Sequence, residues 1–267
     1  TVQIGFDQAS LIELPSIRSL HHLAQEDLAA LKFLLWGDER PPVSAHEPDG
    51  PPAPFAPPGA IIQVVDAARL ESHLELTLEL IELGRPMVIA LNMMDDAREK
   101  GLHINVRELS ARLGAPVVPT VALMGQGIAQ LFAAAVEAVR ENAPPLPQPA
   151  SSHIRESLRP LSGILDRPEI RAAFRVPHPF LLAQVASGDR YFLDELRQHF
   201  PALAPQLERL RSEAGRGLPR PLEEELHADY HHRAALLFEA GTRAGAPPAG
   251  RDWRYWLDEL LLHPQWG

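Results

Sequence analysis

Cysteine is absent from the 267 residues, which excludes disulfides, thiolate metal sites and cysteine-held iron–sulfur clusters within the chain. Positive charge is scarce. Lys and Arg number 25 against 35 Asp and Glu, a net charge of -10 that argues against a nucleic-acid-binding surface. No stretch approaches the roughly 18 consecutive apolar residues of a membrane-spanning helix, and no secretory leader pattern stands at the start. Apolar residues make up 45% of the chain, ample for a core, and the length predicts two domains.

What is present is sharper. The run Met87-Val88-Ile89-Ala90-Leu91 stops abruptly at Asn92, and Met93-Met94-Asp95 follows. This reads as a buried strand delivering two polar side chains to its carboxyl edge. A carboxylate held there accepts two hydrogen bonds from the N1 and N2 donors of guanine, whereas adenine offers no matching pair. A site built to pair a ligand's donors rejects analogues that lack them, because its own acceptors would go unpaired. The Asn amide braces the loop and touches the other edge of the base.

The surroundings support this reading. Ala60 to Val65, ending in Asp66-Ala67, predicts a second buried strand, and Ala115 to Thr120 a third, followed by Val121-Ala122-Leu123 and the turn Gly125-Gln126-Gly127. Between and after them, Leu70 to Leu83, Val106 to Leu113 and Ile128 to Arg140 carry apolar residues at helical spacing. Alternating strands and helices predict an α/β fold with a parallel sheet. Ligands of such sheets sit at the carboxyl ends of the strands, the edge where Asn92 to Asp95 and Thr120 to Leu123 would fall.

These residues resemble a known family. Leu70-x3-Leu74-x-Leu76-Thr77-Leu78-Glu79-Leu80-Ile81-Glu82-Leu83-Gly84, then Ala90-Leu91-Asn92-Met93-Met94-Asp95, then Pro116-Val117-Val118-Pro119-Thr120, resemble the cytosolic G domain of the FeoB ferrous iron transporters. Leu182-Ala183-x3-Ser187-Gly188-Asp189 resembles the family's helical-domain segment, and Leu262-His263-Pro264-x2-Gly267 its entry to the membrane region. The resemblance implies a P-loop-GTPase-like, mostly parallel sheet, incomplete at its N-terminus, followed by a small all-helical domain. It implies binding of GTP and GDP through Asn92, Met93, Asp95, Thr120, Val121, Ala122 and Leu123, with magnesium as a further cofactor. The implied role is regulation of Fe(II) uptake by GTP binding and hydrolysis, at the cytoplasmic face of the bacterial inner membrane. The partner implied is the transporter's own membrane domain, and a homo-oligomer is left open.

Departures from the family pattern concern the phosphates. No Gly-x4-Gly-Lys-Ser/Thr loop occurs anywhere in the chain. Thr1-Val2 resembles the family's first switch, where the Thr1 hydroxyl would ligate magnesium, so the phosphate loop would lie upstream of residue 1 or has been lost. The family's Asp-Leu-Pro-Gly corresponds to Glu13-Leu14-Pro15-Ser16. Glu13 keeps the charge but displaces it by a methylene, and Ser16 replaces the residue that most easily lets backbone approach a phosphate. Val121-Ala122 stands for the family's Ser-Ala pair, losing a hydroxyl. Base reading is therefore expected to survive and phosphate sensing to be damaged, with no hydrolysis expected from this segment alone. The alternatives are a non-hydrolysing pseudo-GTPase scaffold and an unrelated α/β interaction module in which Asn-Met-Met-Asp is coincidental.

Two proline clusters divide the chain. Residues 41–59 hold eight prolines and read as an insertion within a G domain spanning 1–143. Pro144, Pro145, Pro147 and Pro149 mark a stiff linker over 144–152. Past it, 153–267 reads as helical throughout and leads toward a membrane region. His227 and His231 lie four apart on one expected helix, but Glu223, Glu224, Glu225 and Arg233 around them predict a solvated face rather than a metal site. Trp253, Tyr255, Trp256 and Trp266 suit either a membrane interface or helix packing.

Overall fold

Apolar runs bounded by proline, glycine or asparagine form the strands, and stretches with apolar residues three or four apart form the helices, in the computed structural model of the protein, which describes residues 2–4, 7–21, 25–37 and 57–244. The chain opens with β1 (Val2–Ile4), β2 (Asp7–Ala9) and α1 (Gln25–Trp36). It continues through β3 (Ile61–Asp66), α2 (Leu70–Ile81), β4 (Met87–Asn92), α3 (Met94–Glu99), β5 (Leu102–Ile104), α4 (Val106–Leu113), β6 (Val117–Pro119) and α5 (Ile128–Glu141). The helical half comprises α6 (Ser152–Leu165), α7 (Pro168–Phe174), α8 (His178–Ser187), α9 (Arg190–His199), α10 (Ala204–Gly215) and α11 (Leu222–Gly241), and ends with β7 (Thr242–Ala244).

β3, β4 and β6 form a parallel sheet in the order β3-β4-β6, with β4 in the middle. The register runs from Ile61 beside Met87 to Asp66 beside Asn92, and Leu91 lies beside Pro119. All three strands thus end along one edge. Alternation of side chains across the sheet sorts β4 into two layers. Val88 and Ala90 pack with Leu131, Ala135 and Ala138 of α5, whereas Ile89 and Leu91 join a larger core with α2, α4 and the helical half. A strand buried on both faces needs a continuous apolar sequence, and Met87 to Leu91 supplies one. On β3 the outer edge is unpaired among the described residues, and Val64 is 63% exposed.

The linker is strapped to both halves rather than spanning free space. Leu146 N donates to Leu113 O (2.9 Å), Gln148 Nε2 to Arg112 O (2.8 Å), and Ser151 N to Asp229 Oδ1 (3.0 Å). Arg233 on α11 donates to Gln148 O and to Asp229 Oδ2, each at 2.8 Å.

The expectation of helix throughout the C-terminal half is corrected at one place. β7 leaves α11 and pairs antiparallel with β5, Leu102 opposite Ala244. Three-residue strands carry too little alternation to register in sequence, and their pairing is fixed by tertiary contact. Thr1, the proline-rich insertion up to residue 56, and the Trp253 to Trp266 cluster lie outside the described residues.

Candidate functional site

The rim of the sheet is built from the carboxyl ends of β4 and β6. β4 ends where polarity returns at Asn92, and Met93 then adopts a left-handed backbone (φ 60°, ψ 38°). A non-glycine residue there costs of order 1 kcal/mol or more. The conformation turns the chain at once into α3, whose Met94 is buried while Met93 stays 42% exposed. Asp95 follows in the first turn of α3, where a carboxylate complements the helix dipole.

Three residues are locked together. Asn92 Oδ1 accepts from Thr120 Oγ1 (3.2 Å) and from Ala122 N (3.0 Å). Thr120, buried, also donates its N–H to Leu91 O (2.8 Å) and accepts from Met94 N (3.4 Å). The Asn92 carbonyl is therefore spent on bracing. Its amide N–H2 group has no partner among the described residues, and neither has the exposed carboxylate of Asp95. One donor group and one ionic acceptor thus stand at the same rim.

The loop after β6 is shaped by its glycines. Val121 exchanges backbone hydrogen bonds with Gln126 (3.1 and 3.2 Å), and Gly127 closes the turn at φ 79°. A Cβ at Gly127 would lie 2.3 Å from Pro119 O, so no other residue fits without rearrangement. A single 3₁₀ turn, Ala122–Met124, projects Leu123 fully into solvent and leaves Met124 67% exposed. Apolar side chains beside convergent polar groups are the usual lining of a small-molecule site.

The sequence-predicted residues therefore separate into groups. Asn92, Thr120 and Ala122 are hydrogen-bonded together, and Met93, Asp95 and Leu123 are their exposed chain neighbours. Val121 is buried with its backbone bonded to Gln126, so it supports the loop. Glu13 and Ser16 are exposed in the irregular segment before Leu20, with no hydrogen bond or ion pair to the rim among the described residues. His231 Nδ1 contacts Glu75 Oε1 at 2.7 Å, which raises the imidazole pKa, and His227 is exposed. Among the described residues no three His, Cys, Asp or Glu side chains are arranged to hold a metal ion.

Two carboxylates escaped the sequence reading. Glu79 is buried on α2 and Glu82 half-buried at its C-cap, although Leu78, Leu80, Ile81 and Leu83 around them already marked that end of the helix as apolar on every side.

Comparisons with known proteins bear on the fold that carries this rim. Residues 55–135 match the family model described as Ferrous iron transport protein B. Over this stretch the chain is similar to FeoB proteins. It is 37% identical over 128 residues to the Fe(2+) transporter FeoB of Escherichia coli K12, and 38% identical over 128 residues to that of Salmonella typhimurium. Each match covers 46% of this chain and 14% of the relative's length. The fold is that of FeoB cytosolic domains. The L. pneumophila domain superposes with a TM-score of 0.61 at 24% identity, covering 86% of this chain and 78% of that one. The mGMPPNP-bound S. thermophilus NFeoB gives 0.65 at 24% identity, covering 90% and 80%. The GDP form of the T. maritima domain gives 0.62 at 20% identity, covering 86% and 77%. A coincidental Asn-Met-Met-Asp in an unrelated fold is thereby set aside. No helix among the described residues is long and apolar enough to cross a membrane.

Proposed function

We propose that this chain is the guanine-nucleotide-binding regulatory segment of a FeoB-type ferrous iron transporter. The observation that carries the reading is Asp95, exposed and unengaged beside an Asn92 that Thr120 and Ala122 hold in place. Its two oxygens would accept from N1–H and N2–H of guanine, and the Asn92 amide would donate to the opposite edge. Met93 and Leu123 would cover the faces of the base. Adenine would leave the carboxylate facing a ring nitrogen without a proton, an arrangement that costs the full desolvation of the acceptor.

Phosphate binding is weaker in this reading. The chain lacks a Gly-x4-Gly-Lys-Ser/Thr loop, and charge-assisted hydrogen bonds contribute about 1.5–3 kcal/mol each. Losing three or four lowers affinity by roughly a thousandfold. A phosphate loop with its strand would pair against the open edge of β3, where Val64 is exposed. Phosphoryl transfer depends on positioning and charge stabilisation by those parts, so hydrolysis by these residues alone is not expected. With them in place, GTP and its magnesium would bind and control Fe(II) uptake by an attached membrane domain, from the cytoplasmic face of the inner membrane. Thr1 would be the magnesium ligand, and Glu13 and Ser16 the altered phosphate sensor. A scaffold without nucleotide binding is disfavoured by the unengaged base-reading pair. Titration with fluorescent GDP, GTP and ATP analogues tests the reading: binding should be weak and guanine-selective.

A further inference from the structure

Helix α2 carries two carboxylates into the junction between the sheet half and the helical half. Glu79 Oε1 accepts from Ser19 Oγ (2.9 Å), and Glu79 Oε2 from Leu20 N. Ser19 Oγ in turn accepts from His21 N (3.1 Å), and Leu20 O accepts from Gln184 Nε2 on α8 (3.0 Å). Three residues on, capping the C-terminus of α2, Glu82 Oε1 accepts from Tyr230 on α11 (2.7 Å), and the Tyr230 ring lies 5.5 Å from that of His21. The turn Ser19 to His21, α8 and α11 are thus gathered around two acids on one helix.

The charges in this junction do not balance. Glu82 Oε2 is enclosed and receives no hydrogen bond, and the same holds for Gln184 Oε1. From α11, Arg233 is the nearby cation, but its guanidinium is engaged by Asp229 and Gln148 O. Asp229 and, from α2 itself, Glu75 add negative charge, and Ser187 on α8 faces His21. Two ionised carboxylates here would leave at least one without compensation.

We propose that Glu79 and Glu82 form a proton-linked latch: in their neutral forms they hold the Ser19–His21 turn and α11 against α2, and their ionisation releases both. A neutral Glu79 carboxyl keeps acceptor capacity on both oxygens, so the bonds from Ser19 Oγ and Leu20 N persist without a buried charge. Burial pushes the Glu79 carboxyl up to about 7 and Glu82 up to about 8, which puts the release in the neutral range. The turn lies three residues past Ser16, so its release would free the segment holding Glu13 and Ser16 from the helical half. The latch does not depend on nucleotide binding.

Hydrogen exchange on the full chain tests it. Between about pH 6 and pH 9, after correction for intrinsic rates, protection of the Leu20, His21 and Tyr230 amides should fall about tenfold or more in the native protein. In Glu79→Gln/Glu82→Gln, which retains the neutral groups, it should stay within about twofold. Constant protection in the native protein overturns the proposal. An equal fall in the double variant also overturns it, because His21 would then be responsible. Carbon-13 carboxyl titration of the native protein decides the matter whether or not the variant folds: two glutamates should titrate above about pH 6, and all of them titrating near 4.5 overturns the latch.

Discussion

At the scale of single residues, Asp95 faces solvent and makes no bond to the described residues, so a ligand bringing two donors meets an acceptor that needs no rearrangement. Asp95→Asn replaces one acceptor oxygen with a donor. It is expected to weaken binding of a fluorescent GDP analogue by about 10- to 100-fold, the equivalent of one or two charge-assisted bonds, and to leave ATP-analogue binding unchanged. Thr120 acts differently, because its hydroxyl is buried and spent on Asn92. Thr120→Val keeps the shape and removes the donor, so urea unfolding should show a loss of about 1 kcal/mol together with looser guanine binding. An unchanged affinity would show that Asn92 needs no brace. The place of Asn92 and Asp95 at the carboxyl edge of β4 was legible in the sequence because the apolar run stops there. The part played by Val121 was not legible, since its backbone is engaged by Gln126 across a turn whose closure depends on tertiary geometry.

At the scale of elements, the loop after β6 depends on one glycine. Gly127→Ala would force its methyl toward Pro119 O and impose φ 79° on an L residue. A loss of about 1–3 kcal/mol in unfolding free energy follows from such strain, and guanine binding should weaken with it because the same loop carries Ala122. The parallel strands and the helices α2, α4 and α5 were visible in the sequence because their apolar periods repeat over enough residues, whereas α1 was not read although it spans 12 residues. β1, β2, α3, α7, β5 and β7 were not read either. Each is short, and β5 meets β7 only because α11 returns the chain beside the sheet, with Asn105 N bonded to Gly241 O (2.8 Å). The inward turn of Glu79 and Glu82 was missed as well, although the apolar residues on every side of them were there to read.

Across the whole molecule, the two halves are joined by polar groups as well as by a shared apolar core. Asp229 and Arg233 have side chains 2% and 12% exposed and together hold the linker. Asp229→Ala strands the guanidinium and frees Ser151 N, for an expected cost of about 3 kcal/mol in urea unfolding. The carboxyls of α2 add a pH dependence of definite sign. The unfolded chain releases their protons near pH 4.5, whereas the folded chain keeps them until about 7 and about 8. Their contribution is therefore complete below pH 4.5 and is lost as pH rises through the folded values. Urea unfolding at pH 8.5 should show stability lower by a few kcal/mol than at pH 5.5, and Glu79→Gln/Glu82→Gln should shrink that difference.

The base-reading assignment meets its most direct test in one titration. Fluorescent GDP and ATP analogues are added in parallel to the native chain and to Asp95→Asn. Weak binding of the guanine analogue alone, lost in the variant, is the expected result. Equal affinity of the native chain for both purines would contradict the assignment.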